Sequence, residues 1–282
     1  MNANSLASHI QHWQRQFLES GSDSPRLDAE LLVAHVLGMD RSRLFASLPD
    51  TLSDEQLTGI GLLCERRVLG EPIAYILGGR EFYGLYLAVT PAVLMPRPET
   101  ELLVEWALKW LADHPAASVV DVGTGSGAIA IAIAANTPQT VRVTAVDVSP
   151  GALDVARTNA DRRAPDRIAF TEGDLLASFT GPVNLVLANL PYLRPDQIDG
   201  NREISFEPRL ALDGGARGIE LIEQLIDQLP SRLSPMGAVA LEIDPTQADA
   251  VAMLLATAFP GAAIQIHADL AGHARFVTAT GI

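Results

Sequence analysis

Apolar residues recur at spacings of three and four in "LDAELLVAHVLG" (27–38) and again in "LSDEQLTGIGLLCERRVLG" (52–70), the period of an amphipathic helix. Ser53 offers an N-cap to the second of these, with Gln56 three residues on as a capping-box partner. Residues 1–72 therefore read as a small all-helical domain. The texture then changes: "EPIAYILGGREFYGLYLAVTPAVLMPRPETE" has Gly pairs, Pro punctuation and β-branched or aromatic residues. That mixture predicts a hairpin between Tyr75 and Val89, within a linker over 73–96 that bridges two domains. "RPETELLVEWALKWL" follows, with Pro98 suited to a helix start, acidic residues in the first turn and apolar periodicity through Leu111.

Beyond Ala117 short apolar runs alternate with helical patterns: "SVVDV", "GAIAIAIAAN", "RVTAVDV", "PGALDVARTNADR", "RIAFTEGD" and "VNLVLANLPY". Strands alternating with helices imply a parallel sheet in a doubly wound α/β domain, here 97–282. "GIELIEQLIDQLPSRL" reads as a helix, "GAVALEI" as a strand and "TQADAVAMLLATAF" as a helix. "AAIQIHAD" and "ARFVTAT" are close enough in sequence to pair as antiparallel strands. The loop from Arg194 to Gly218 is long and rich in Pro, Gly and charge, as functional loops are.

At 282 residues the chain has room for an α/β domain and a smaller companion. A hydrophobic share of 48% is ample for a core, and at 5% aromatic the packing rests on aliphatic side chains. Acidic residues outnumber basic ones 34 to 20, a formal charge of -14. Such a surface lacks the electrostatic grip that nucleic-acid backbones reward, so nucleic acid is a disfavoured partner. The single cysteine, Cys64, reads as a small buried apolar residue. His35, on an apolar helix face with no second ligand at metal spacing, reads as packing. The N-terminal stretch has no basic region followed by an unbroken apolar run, and nothing approaches a membrane span, so the expected location is cytoplasmic.

Candidate chemistry begins at "VVDVGTGSGAIAIAIA". Gly123, Gly125 and Gly127 lie between a strand and a helix, where glycine lets backbone approach a ligand and leaves helix N–H groups aimed at it. Thr124 and Ser126 share that turn. Dinucleotide enzymes place GxGxxG at the same point, but here the third Gly follows the second by two residues, and Asp121 precedes the turn. A carboxylate there repels a pyrophosphate and favours an ammonium or hydroxyl, as in the methionine part of S-adenosylmethionine. Asp147 ends the next strand about 20 residues on, where ribose hydroxyls can be met. Asp174, at the end of "RIAFTEGD", is placed for an adenine amino group. Any one of these carboxylates taken alone could be a solvated strand end or a cap; three at successive strand ends point to a cofactor cleft.

The next strand, "VNLVLA", delivers Asn189, Leu190, Pro191 and Tyr192 to the same edge. Asn189 carries an amide, Leu190 adds a backbone carbonyl, and Pro191 fixes the turn and lacks an N–H. Two acceptors suit a planar NH2 group, with Tyr192 against its plane. The lone pair of such a nitrogen is delocalised, so methyl transfer to it requires in-line positioning and stabilised positive charge. No metal and no Cys or Ser nucleophile is required.

With these motifs on the page the chain resembles the release factor glutamine methyltransferases, over nearly its whole length. The resemblance is carried by "EFYGLYLAVTPAVLMPRPETELLVE", "VVDVGTGSGAIAIAIA", "ANLPYL", "FEPRLALDGGARGIE" and "DLAGHARFV". The segments Arg97-Pro98-Glu99 and Phe206-Glu207-Pro208 to Gly215 are more particular to that family than the glycine turn. It implies a Rossmann-like seven-stranded methyltransferase domain, joined by a β-hairpin to a helical domain that helps hold the substrate. The implied substrate is the Gln of the GGQ tripeptide of class I peptide release factors. S-adenosylmethionine would lie over Gly123 to Gly127, with Asp147 at the ribose, Asp174 and Leu175 beside adenine, and Asn189, Pro191 and Tyr192 in the catalytic slot. Two positions depart from the family: Leu190 stands where NPPY has its first Pro, and Leu175 where some members have an aromatic residue.

NLPY also resembles the motif of rRNA adenine dimethylases, so an amino-methyltransferase acting on adenine in rRNA or DNA is the competing enzyme; the acidic charge and the absence of a Lys/Arg stripe weigh against it. A non-catalytic S-adenosylmethionine-binding regulatory module is the non-enzymatic alternative. An NAD dehydrogenase comes last, because the glycine spacing is wrong.

Overall fold

A computed structural model describes residues 5–200 and 204–282. The first four positions of the N-terminal stretch, and residues 201–203 of the long loop, lie outside the described residues. The chain separates into two compact units, Met1–Gly78 and Gly79–Ile282.

The first unit holds, among its described residues, five helices: α1 (Leu6–Glu19), α2 (Pro25–Leu37), α3 (Arg41–Ala46), α4 (Asp54–Val68) and α5 (Ile73–Leu77). Its core gathers Leu6, Phe17, Leu32, Val33, Leu44, Ile60 and Cys64. The capping box of α4 forms, with Ser53 and Gln56 each satisfying the other's backbone N–H. Cys64 is 0% exposed, and burial pushes its thiol up to about 12, so it packs as a small apolar residue. His35 is exposed, contrary to the packing role expected of it. The buried stripe of α2 passes through Leu32, Val33 and Ala34, leaving His35 in the last turn, where a polar ring suits the helix's negative end.

The stretch "IAYIL" also departs from expectation. Its composition suggested strand from Tyr75, yet it forms α5, with Pro72 at the N-cap and Gly78 closing the helix in the left-handed region. The hairpin is shorter, β1 (Gly79–Phe82) and β2 (Leu85–Ala88), antiparallel. Its two-residue turn, Tyr83-Gly84, has φ of 51° and 71°, as a right-twisted hairpin prefers.

The second unit continues with α6 (Thr100–Ala112), β3 (Ser118–Val122), α7 (Ala128–Asn136), β4 (Arg142–Asp147), α8 (Pro150–Arg163), β5 (Ile168–Glu172), β6 (Val183–Ala188), α9 (Pro195–Ile198), α10 (Glu220–Gln228), β7 (Leu233–Glu242), α11 (Ala248–Ala258), β8 (Ala263–Ala268) and β9 (Ala274–Thr280). The sheet has seven strands in the order β5-β4-β3-β6-β7-β9-β8. Strands β3 to β7 are parallel, and β9 runs antiparallel between β7 and β8.

Both faces of this sheet are covered, which explains its unbroken apolar strands. Val119, Leu185 and Leu187 point into the core shared with α6 and α7. Their neighbours Val120, Val122, Val186 and Ala188 point into the opposite core, with α10 and α11. Ala128 to Ala134 of α7 are all buried; a helix apolar all round needs enclosure on every side. The chain leaves β3 toward β4 on one side and returns through β6 on the other. That reversal opens a crevice at the carboxyl ends of the strands, where open α/β sheets bind ligands.

Candidate active site

At that edge lies a cavity of about 450 Å³, lined by segments that follow β3, β4, β5 and β6. The turn after β3 is the most constrained of these. Gly123, Gly125 and Gly127 have φ of 71°, 56° and 83°, values that L side chains rarely adopt. Gly123 and Thr124 donate their N–H groups to the Val146 carbonyl at 2.8 and 3.0 Å, which holds the turn against β4. Gly123, Thr124, Gly125 and Ser126 line the cavity.

Gly127 and Asp121 do not line it, although both were expected to face the ligand. A Cβ on Gly127 would come within 2.9 Å of Ile131 and 3.2 Å of Ala156, so this glycine lets α7 and α8 pack closely. Asp121 is 1% exposed beneath the turn. Its Oδ2 accepts from the Thr124 hydroxyl at 2.6 Å and from the Ala130 N–H at 3.1 Å, tying the turn to the start of α7. Among the described residues its Oδ1 has no partner, and desolvation, ahead of these hydrogen bonds, pushes the carboxyl up to about 7.

Asp147, at the end of β4, also lines the cavity. It accepts from the Gly125 N–H at 2.8 Å and from the Ser149 N–H at 2.9 Å. Burial raises its pKa against these hydrogen bonds. Asp174 is exposed and Leu175 buried, both on the cavity wall. Leu175 has φ of 51°, a strained conformation for a branched residue of the kind that collects at ligand sites.

Asn189, Leu190 and Pro191 line the cavity from the end of β6. The Asn189 Nδ2 donates to Thr100 Oγ1 at 3.0 Å, which leaves Oδ1 as the acceptor end of the amide. Tyr192, expected to lie against a substrate amide, does not line the cavity. Its carbonyl accepts from Gln247 Nε2 at 2.9 Å, and burial together with the charge of Glu242 raises its phenol pKa. A Cβ on Gly214 would sit 2.6 Å from the Pro191 carbonyl and 2.7 Å from Tyr192 Cα, so the returning loop lies directly on this turn.

The two segments set apart in the sequence, around Arg97 and Phe206, meet through an ion pair. Arg97 pairs with the buried Glu207, whose other oxygen accepts from the Met95 N–H at 3.0 Å. Met95, Pro96, Pro208, Leu210 and Ala211 thereby form an apolar wall of the same cavity.

Three polar residues here escaped the sequence reading. Thr100 binds the Asn189 amide. Asn159 of α8 accepts from the Ala88 N–H at 2.7 Å and donates to the carbonyls of Ala88 and Ser126, each at 2.9 Å. Glu242 ends β7 inside the core. Glu242 carried a readable signal, a carboxylate closing the apolar run "GAVALEI", the same cue that singled out Asp121 and Asp147. Thr100 and Asn159 sit in ordinary helical patterns and carried none.

The residues present fit S-adenosylmethionine: a glycine turn whose backbone forms part of the cavity wall, a carboxylate at the next strand end and a cavity of ligand size. Two family models match the chain, one described as the PrmC N-terminal domain over residues 9–78 and one as a methyltransferase small domain over residues 99–203. The release factor glutamine methyltransferase of Rhodopirellula baltica is 39% identical over 272 residues, covering 93% of this chain and 91% of its own. That of Bordetella pertussis is 43% identical over 234 residues, covering 82% and 86%. Among solved structures, a ribosomal protein L11 methylase from Lactobacillus delbrueckii subsp. bulgaricus is 25% identical with a TM-score of 0.50, covering 68% of this chain and 83% of that one. Likeness of this extent, spanning both units and carrying the glycine turn and the Asn189 edge, places the chain in the release factor glutamine methyltransferase family.

Proposed function

We propose that the protein transfers a methyl group from S-adenosylmethionine to the side-chain amide nitrogen of the glutamine in the GGQ motif of class I peptide chain release factors. The observation that carries this reading is the Asn189 amide, its N–H engaged by Thr100 and its carbonyl end left as an acceptor, on the wall of the cavity that the glycine turn also lines. Bound S-adenosylmethionine supplies an electrophilic methyl on a positive sulfur.

The chain's own residues do the rest. Gly123 to Ser126 and Asp147 hold the donor, with Asp174 and Leu175 at its adenine end. Asn189 Oδ1 and the Leu190 carbonyl accept the two N–H bonds of the substrate amide. Both contacts strengthen as positive charge builds on that nitrogen, so they favour the transition state over the ground state, and the methylated nitrogen then loses one of its two protons to water. Leu190 in place of proline keeps the carbonyl that this role uses. Pro191, lacking an N–H, offers no competing donor. The helical domain, residues 1–72, joined to the methyltransferase domain by the linker over 73–96, helps hold the release factor.

Among the described residues no helix is long and apolar enough to cross a membrane, and the work of the proposed substrate lies in the cytoplasm. The protein acts on the factor without binding nucleic acid directly, in keeping with its charge of -14. The test supplies labelled S-adenosylmethionine to the purified protein with a wild-type release factor, the same factor with its GGQ glutamine replaced, and protein-free rRNA and DNA. Label is expected on the wild-type factor alone. Faster labelling of nucleic acid would move the protein to the adenine-directed class, and donor binding without transfer would make it a regulatory module.

A further inference from the structure

Single exposed leucines are common on protein surfaces; Leu210 differs in where its backbone is fixed. It is 62% exposed and yet lines the cavity, which places it at the rim. It is the middle residue of a short 3-10 turn, Arg209–Ala211. The turn closes on itself, with the Ala211 N–H donating to the Pro208 carbonyl at 2.8 Å and the Leu212 N–H to the Arg209 carbonyl at 3.0 Å.

Both flanks of the turn are anchored in the site. Before it, Glu207 pairs with Arg97 and accepts from the Met95 N–H at 3.0 Å. After it, the Leu193 N–H donates to the Leu212 carbonyl at 3.0 Å, and the Gly214 N–H to the Leu193 carbonyl at 2.9 Å. The chain beyond Leu210 therefore runs along the continuation of β6 that carries Asn189. A rigid turn thus holds an uncovered leucine beside the acceptor slot, where a polypeptide that delivers a side chain to Asn189 crosses the rim.

The charges on this wall are already paired. Arg97 is engaged by Glu207, and Arg209 by Asp213 at 3.2 Å and Asp199 at 3.1 Å. What faces the opening is apolar: Leu210 with Met95, Pro96, Pro208 and Ala211. A charged group pressed against it would give up water for partners that are committed elsewhere. An uncharged stretch gives up little and covers the leucine.

We propose that Leu210 is a contact that seats the acceptor protein, packing against the uncharged, glycine-containing stretch of the release factor beside the reacting glutamine. The leucine is open in the free enzyme and becomes buried in the complex. This role deepens the proposed function and rests on it. Because the turn is braced on both flanks, the contact is made with little loss of freedom on the enzyme's side.

The experiment has two arms. In the first, wild type, Leu210→Ala and Met253→Ala are compared for donor affinity by calorimetry, kcat, and KM for the release factor. Met253 is 72% exposed on α11 and serves as the control for losing a surface apolar group. Leu210→Ala is expected to raise KM for the factor roughly tenfold, the scale of one anchoring contact. Its donor affinity stays at the wild-type value, and Met253→Ala changes nothing. In the second arm, Leu210→Cys is alkylated with a maleimide and the modification is read on this chain by mass spectrometry. The natural cysteine, Cys64, is 0% exposed, so the new thiol is the reactive one. S-adenosylhomocysteine alone should leave its alkylation rate unchanged, and adding the release factor should slow it severalfold.

A Leu210→Ala enzyme that keeps its KM for the factor overturns the proposal, as does an equal rise in Met253→Ala. Protection of the new thiol by S-adenosylhomocysteine alone would assign Leu210 to the donor, and a rate untouched by the factor would leave the rim outside the complex; either result sinks the idea while wild-type methylation of the factor still stands. A wild-type chain that binds the donor and methylates no release factor contradicts the proposed function, and this inference with it.

Discussion

At the scale of single residues the site divides into groups that face the cavity and groups that hold them there. Asn189 belongs to the first kind, because its acceptor oxygen is the end that Thr100 leaves free. Replacing it with alanine is expected to lower kcat roughly a hundredfold, the scale on which one transition-state hydrogen bond counts. Donor affinity measured by calorimetry should stay near the wild-type value; an equal fall in both would assign Asn189 to the donor instead. The glycines of the turn separate in the same way. A Cβ on Gly125 would find nothing nearer than the Gly123 carbonyl at 4.0 Å, whereas one on Gly127 would press on Ile131 and Ala156. Gly127→Ala should therefore cost about 1–3 kcal/mol of stability through overpacking and show as a lowered melting temperature. Gly125→Ala should lose donor affinity first, since its added methyl enters the cavity wall. The glycine spacing was readable from sequence, and the different work of each glycine was not, because what a Cβ would strike depends on helices brought in from elsewhere in the chain.

Between elements the site is held by side chains that satisfy backbone groups of their neighbours. Asn159 reaches from α8 to the end of β2 and to the Ser126 carbonyl in the glycine turn. With the side chain cut to alanine, an N–H and two carbonyls lose their partner in a buried place. A cost of about 1–3 kcal/mol is expected, read in a denaturant titration, together with weaker donor binding because the turn loses its tie. Arg97 and Glu207 join the approach to α6 to the long returning loop. Their segments stood out in the sequence as family features, but no spacing rule connects residues 110 positions apart; only the closed cavity wall shows why both are needed. The misread strand at "IAYIL" belongs to this scale too. Its β-branched and aromatic residues were overruled by Pro72 and Gly78, which start and stop a single helical turn.

For the molecule as a whole, two buried carboxyls set an unusual dependence on pH. Asp121 and Glu242 are both pushed up to about 7 in the folded chain, chiefly by desolvation. The folded state therefore binds their protons more tightly than the unfolded state does. The stability each contributes is complete below its ordinary carboxyl range and is lost as pH rises through about 7. Replacing Asp121 with asparagine removes one of these sites. The variant's unfolding free energy should gain on the wild type's as pH rises from about 5 to about 8, at up to about 1.4 kcal/mol per unit. Chemical denaturation at a series of pH values checks this, and a constant gap would mean that Asp121 is ionised throughout. The sequence by itself determined the alternation of strands and helices, the edge where the cavity opens, and the Asn-Leu-Pro-Tyr stretch that stands there. Those follow from local period and from strand ends, which neighbouring residues decide. The tertiary structure alone decided that Asp121 braces the turn from below, that Tyr192 stays off the cavity wall, and that Thr100 engages the Asn189 amide. Each of those depends on which groups burial isolates from water and which partner it leaves within hydrogen-bond reach, and residues distant in the chain supply both.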